Sequence, residues 1–205
     1  MRVAPVTAAA ALALVLGAGA CAGARRAPAV PAAPVATGPR QRLALLPLEN
    51  LSDKTEYADR LTRVVWTALG RDPRFEVVES GEVDAVLSDL RIRSSGSLTR
   101  DQIEDASTRL RTRWIVAGTL LECGAAHTPD GDVPTVALSL RLLDGRTGRV
   151  AWTDMASHSG EDRETVFGWG RETSLEIVAE RTAQELVGRM YLPAPADSAT
   201  GGKLP

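Results

Sequence analysis

The chain predicts an α/β fold: a single domain with a five-stranded mixed sheet, in the order β-α-β-α-α-β-β-β-α, covered by helices. Three features carry that expectation. Through the first half, short dense apolar runs alternate with segments of helical period. The second half instead strings strand-like segments together across turn residues, as an antiparallel meander does. Residues 41–192 also hold enough Leu, Val and Ile for one packed core. A domain of about 150 residues buries close to 70% of the surface its unfolded chain exposes, so no disulfide or metal staple is required.

The first strand opens residues 42–50, RLALLPLEN, with Leu43-Ala44-Leu45-Leu46 as its buried run. Pro47 cannot donate to a ladder and marks the exit. Helical spacing follows over 55–69, with Tyr57, Leu61, Val64, Val65, Ala68 and Leu69 on one face. Ser52 or Asp53 is placed to cap its start, and Gly70 suits the left-handed position beyond its end. Asp72-Pro73 turns the chain into the second strand, 75–79. Ser80 is then placed to cap a short helix whose apolar face is Val83, Val86, Leu87 and Leu90, and 91–96 is a loop.

Thr99 and Gln102 form a capping box, with Leu98 and Ile103 spaced as a hydrophobic staple. Ile103, Ala106 and Leu110 give that helix its stripe. WIVAGTLLE (114–122) is the third strand, and His127 to Pro134 reads as a turn. The fourth strand, 136–143, alternates Val136, Leu138, Leu140 and Leu142 against polar neighbours, as a half-buried strand does. Asp144 to Gly148 makes a hairpin loop into the fifth strand, 149–155. After the Gly168-Trp169-Gly170 interruption, a closing helix spans 172–190, with Leu175, Val178, Ala179, Thr182, Leu186 and Met190 inward. Early strands joined through helices imply parallel neighbours, and the last three imply an antiparallel meander.

The flanks differ sharply from this core. Met1-Arg2 is a charged start, Val6–Leu16 an apolar stretch, and Gly17-Ala18-Gly19-Ala20 a run of small residues ahead of Cys21. A bilayer-spanning helix needs about 20 apolar residues, so residues 1–20 read as an export signal rather than an anchor. The site resembles a bacterial lipobox, in which the cysteine is acylated and becomes the new N-terminus. Ala18 stands where such boxes usually carry Leu, and Ala18-Gly19-Ala20 also fits an ordinary signal peptidase, so lipidation of Cys21 and simple secretion both stay open. Residues 21–40 form an Ala/Pro-rich tether that reaches roughly 60 Å at about 3.1 Å per residue. Residues 193–205 read as a disordered tail.

In its residues the core resembles a known envelope group. RLALLPLEN, then ADRLTRVVWTALGRDPRFEVVESGEVDAVLSDL, then RWIVAGTL and LSLRLLDGRTGRVAW are similar to the family that includes CsgG, LpoB and the amino-terminal domain of TolB. The resemblance covers roughly residues 41–190. It implies a compact α/β envelope accessory protein, usually lipid-anchored and without catalysis. The inserted membrane hairpins of CsgG and the propeller of TolB have no counterpart here, which leaves the small tethered form closest to LpoB.

Chemistry-bearing patterns are sparse. Cys21 and Cys123 are the cysteines, and His127 and His158 the histidines. Cys123 reads as a buried, inert thiol if Cys21 takes a lipid; pairing of the two requires that lipidation fail. Cys123 and His127 straddle a strand end and a turn, so they do not suggest a metal pair or an activated thiol. Asp130-Gly131-Asp132 lacks the ligand spacing of a calcium loop and reads as a turn. No phosphate loop and no nucleophile elbow is present. The expectation is therefore no catalytic residue, no cofactor and no metal site.

The formal net charge is −2, and acidic residues interrupt the cluster of Arg91, Arg93, Arg109, Arg111 and Arg113. That is a solvated mixed face rather than a nucleic-acid stripe. Trp66, Trp114 and Trp152 sit within predicted elements as core. Phe167 and Trp169, in the glycine-flanked connector, either pack there or contact a partner.

The expected function is that of a non-enzymatic, lipid-anchored envelope protein, an assembly factor or activator that docks an unidentified envelope protein. The alternatives are a subunit of a CsgG-like export channel and, more remotely, an envelope enzyme using Cys123. The membrane is met through the N-terminal lipid, and copies of the chain are possible partners. Ala22 lacks the aspartate that retains some lipoproteins at the inner membrane, which points to the outer membrane, facing the periplasm.

Overall fold

The computed structural model describes residues 39–54, 56–129, 131–165 and 169–193. The expected signal, nearly all of the tether, Cys21 and nearly all of the tail lie outside these residues.

Ten elements follow in order: β1 (Gln41–Leu45), β2 (Glu49–Asn50), α1 (Tyr57–Arg71), β3 (Phe75–Val77), α2 (Ser80–Asp89), α3 (Arg100–Arg109), β4 (Trp114–Thr128), β5 (Gly131–Asp144), β6 (Arg149–Ser159) and α4 (Leu175–Arg189). All six strands belong to one sheet of order β3-β1-β4-β5-β6, with β2 pairing β4 beyond the end of β1. β1 is parallel to β3 and β4, in the registers Gln41↔Phe75 and Leu43↔Trp114. β4, β5 and β6 are antiparallel. The mixed sheet thus has the expected directions and order.

Two apolar layers sandwich it. One joins Leu43, Leu45, Phe75, Val116, Leu138 and Leu140 to α1 and α4. The other joins Ala44, Leu46, Val78, Ile115 and Ala117 to α2 and α3. The parallel half is therefore covered on both faces, which is why Leu43–Leu46 is apolar without alternation. In the antiparallel half, Val136, Leu138, Leu140 and Leu142 of β5 are buried, whereas Thr135, Ser139 and Arg141 on the other face are half-exposed. Here the alternating pattern matches a sheet with one wet face.

Local signals fared unevenly. The Thr99–Gln102 capping box forms in both directions, and Leu98 packs on the cluster that holds Ile103. Ser52 and Asp53 do not cap α1; its N-cap is Glu56, without a side-chain bond. Asn50 takes Ser52 instead, accepting from its N–H at 2.9 Å and its hydroxyl at 2.7 Å. Gly70 is inside α1, and Ser80 is the first helical residue of α2, whose N-cap is Glu79. Pro47 ends β1, but the chain rejoins the sheet as β2, a strand too short to show a period.

The expected turn at 127–134 is a correction. The β4–β5 ladder continues to Thr128↔Gly131, and β6 runs to Ser159. Pro134 is tolerated because its carbonyl accepts from the Gly160 N–H at 2.9 Å. Its missing N–H therefore points toward the end of β6, and no bond to β4 is lost.

Two arginines brace the heads of β3 and β4. The Arg74 guanidinium pairs with Asp72 through Nε and Nη2, at 2.9 and 2.6 Å. It also donates to the carbonyls of Val187 and Met190, at 2.7 and 2.8 Å, at the end of α4. It lies 4.8 Å over the Phe75 ring. Arg113 repeats the pattern at β4, pairing with Asp144 at 2.7 Å and lying 4.7 Å over Trp114. Burial alone would raise the carboxyl pKa of Asp72, but the hydrogen bonds and charge of Arg74 outweigh it and hold the value low. Arg113 and the Arg146 N–H do the same for Asp144.

A depressed folded-state pKa contributes stability above the unfolded value of about 3.9, lost as pH falls through the folded value. Asp72→Asn is therefore expected to cost about 1.5–3 kcal/mol near neutrality. Melting curves from pH 7 to 2 should show its gap from the parent chain closing only below about pH 4.

Both α2 and α3 end in Schellman-type bonds, Ile92 N–H to Leu87 O and Thr112 N–H to Ser107 O. The left-handed residues are Arg91 at φ 54° and Arg111 at φ 51°, where glycine is usual. Arg111→Gly should raise stability by about 0.5–1 kcal/mol in urea unfolding, since it relieves left-handed strain while adding some backbone entropy.

Candidate functional site

The connector between β6 and α4 is an excursion stitched at its base. The Glu172 N–H donates to Gly160 O at 2.8 Å, and the Thr165 N–H and hydroxyl donate to Trp169 O at 2.8 and 2.9 Å. Arg171 braces it through Glu161 at 2.9 Å. Gly170 has φ +94°, and a Cβ there would lie 2.4 Å from the Arg163 carbonyl oxygen. A Cβ on Gly160 would lie 2.1 Å from the Glu172 carbonyl oxygen. Both glycines are required by close backbone approach. The result is a pinned loop that leaves Trp169 78% exposed. Of the two aromatic residues singled out in the sequence, Trp169 does not pack, and Phe167 lies outside the described residues.

The other tryptophans behave as core. Trp114 is buried, while Trp66 and Trp152 pack on the α1/α4 layer. Trp66 also donates its indole N–H to Val78 O at 3.1 Å.

Cys123 is buried on β4, within that layer. Burial pushes its thiol up to about 11, with Glu176 and Glu56 adding to the rise against the pull of Arg60. His127 is on the same strand but 89% exposed at its side chain, with Nδ1 2.8 Å from Asp132. The two are not brought together, because β4 projects past the helices beyond Cys123. Asp130 lies outside the described residues, and Asp132 is engaged by His127.

A groove of about 660 Å³ runs between α1 and α2, lined by Pro47, Asp59, Thr62, Trp66, Glu79 and Asp84. Sequence reading missed it, since its walls come from three separate elements. It also missed the chain of ionic groups along β6 and α4, in which His158 meets Asp162 through Nδ1 and Glu185 through Nε2, each at 2.5 Å. The residues of that chain come from three segments, β6, the turn after it and α4, and only the fold joins them.

No known family profile matches the sequence, and no curated protein does. Solved structures do match. Lipoprotein GNA1162 from Neisseria meningitidis is 18% identical, over 63% of this chain and 90% of that one, with a TM-score of 0.50. The hypothetical protein CT253 from Chlamydia trachomatis is 14% identical, over 74% and 95%, with a TM-score of 0.50. The LpoB C-terminal domain from Escherichia coli is 17% identical, over 58% and 82%, with a TM-score of 0.43. The likeness is one of fold. The α/β fold read from the strand and helix motifs is thus shared with two solved structures, the lipoprotein GNA1162 and CT253.

A thiol with a pKa near 11 is thiolate to only about one part in ten thousand at neutral pH. Alkylation of Cys123 in the folded chain, followed by mass spectrometry of its peptide, should run about a hundredfold slower than in urea.

Proposed function

We propose that the chain is a lipid-anchored bacterial envelope protein, without catalysis of its own, that acts by docking onto another envelope component as an assembly factor or activator. One conjunction carries this reading: a signal-like segment ending at Cys21 precedes a domain whose fold is also that of a lipoprotein, GNA1162. The tether of residues 21–40 confines the domain near the anchored lipid, which raises its local concentration for a membrane-held partner. Multiple acyl chains on one cysteine are needed for a firm anchor.

The docking contact is assigned to Trp169. An exposed single apolar residue is ordinary, but this one stands on a loop that two glycines and a Thr165 clasp hold in place. Tryptophan supplies large contact area at low ordering cost and is enriched among residues that dominate interfaces. The buried, protonated Cys123 thiol supports a role without thiol chemistry. Ala22 after the cysteine supports the outer membrane, facing the periplasm.

Palmitate labelling in the native cell tests the anchor: label present in the parent chain and absent from Cys21→Ser supports it, and equal label in both removes it. Trp169→Ala tests the contact. Its melting temperature should match the parent's within about 2 °C, because no buried area is lost. Crosslinked partner recovered from cells should fall about tenfold, the loss of one dominant interface residue. Undiminished recovery would move the contact elsewhere on the domain.

A further inference from the structure

β6 forms one edge of the sheet, and its ladder with β5 runs from Arg149 to Ser159. Exposed edges of that length are templates for strand addition by another chain. Side chains, however, occupy outward backbone groups of this edge at Met155 and Ser159. The Met155 N–H donates to Asp154 Oδ1 at 2.7 Å, and Met155 O accepts from Arg189 Nη2 at 3.1 Å. Both groups therefore point away from β5, and by the alternation of an antiparallel strand so do those of Thr153, Ser157 and Ser159. The Ser159 N–H is taken as well, by Asp162 Oδ2 at 3.1 Å. Toward the start of the strand the register shifts between Leu142 and Leu143, leaving Ala151 as a bulge. From Ala151 to Ser159, no two successive outward positions present a free, regular set of donors and acceptors.

The capping groups are themselves linked. Arg189 pairs with Asp154 and with Glu185, each at 2.9 Å. Glu185 meets His158, and His158 meets Asp162. These side chains are a third to nearly half exposed apart from His158, and exposed ion pairs contribute little stability. Their placement on the outward edge groups is what needs explaining.

We infer that the linked side chains Asp154, Arg189, Glu185, His158 and Asp162 are an edge guard, which keeps β6 from pairing with β6 of a second copy of this chain. A second copy is the occupant excluded because two β6 edges are identical in length, and antiparallel pairing of like strands closes as a two-fold dimer. Once the guard is removed, Thr153, Met155 and Ser157 present a continuous run of outward donors and acceptors.

Sedimentation equilibrium of the full chain in mild detergent tests this. Arg189→Ala and Asp154→Ala should each strengthen self-association by about tenfold. Adding Met155→Pro to either should return it to the parent's level, because proline removes an outward N–H that makes no bond to β5. Ser157→Pro should act alike, and Arg189→Gln replaces Arg189→Ala if the latter loses its circular dichroism spectrum. Unchanged association in folded guard variants would overturn the inference. So would association that survives both proline substitutions.

Discussion

The sheet depends on two guanidinium groups placed where β3 and β4 begin. Arg74 and Arg113 each precede an aromatic residue, lie over its ring and pair with a partly buried aspartate. Arg74 does most, because its remaining donors fill the last carbonyls of α4. Helix ends leave such carbonyls without partners, and satisfying them fixes where the helix stops. A residue at the head of β3 thus sets the docking of an element more than a hundred residues later. Lysine could not replace it, since a point charge cannot bridge a carboxylate and two carbonyls in one plane.

The two halves of the sheet follow different chemistry. Around β1 the layers on both faces exclude water, so the run Leu43–Leu46 is apolar without a break and its edges are internal. The β4–β5–β6 meander is covered chiefly by α4, and it meets solvent on its other face and along its outer edge. The exposed features concentrate in this half: the pinned loop with Trp169 and the ionic chain along β6. The apolar half holds the fold, and the half-wet meander presents groups to the surroundings.

Much of this was legible in the residues. Leu43 to Leu46 could only be a strand buried on both faces, and the Thr99–Gln102 box placed α3 to the residue. The boundaries that failed did so for local reasons. Asp132 and Pro134 are turn formers, yet both sit in β5: Asp132 is exposed near the hairpin's tip, and the missing N–H of Pro134 faces away from β4. Ser52 is a good cap that Asn50 recruited first. The flanking glycines left the burial of Trp169 open, and the β6 ionic chain joins residues from β6, its following turn and α4, which only the fold assembles.

The register of β1 has a consequence for the order of assembly. Leu43 pairs with Val77 of β3 on one side and with Trp114 of β4 on the other, so β1 gains its first partner early but keeps one open edge until β4 exists. The meander closes through neighbours in the chain, which costs little loop entropy and proceeds quickly. A nascent or translocating chain that emerges amino-terminus first therefore seats β1 against β3 and α1 early, and the seam between β1 and β4, which joins the two halves of the sheet, closes later.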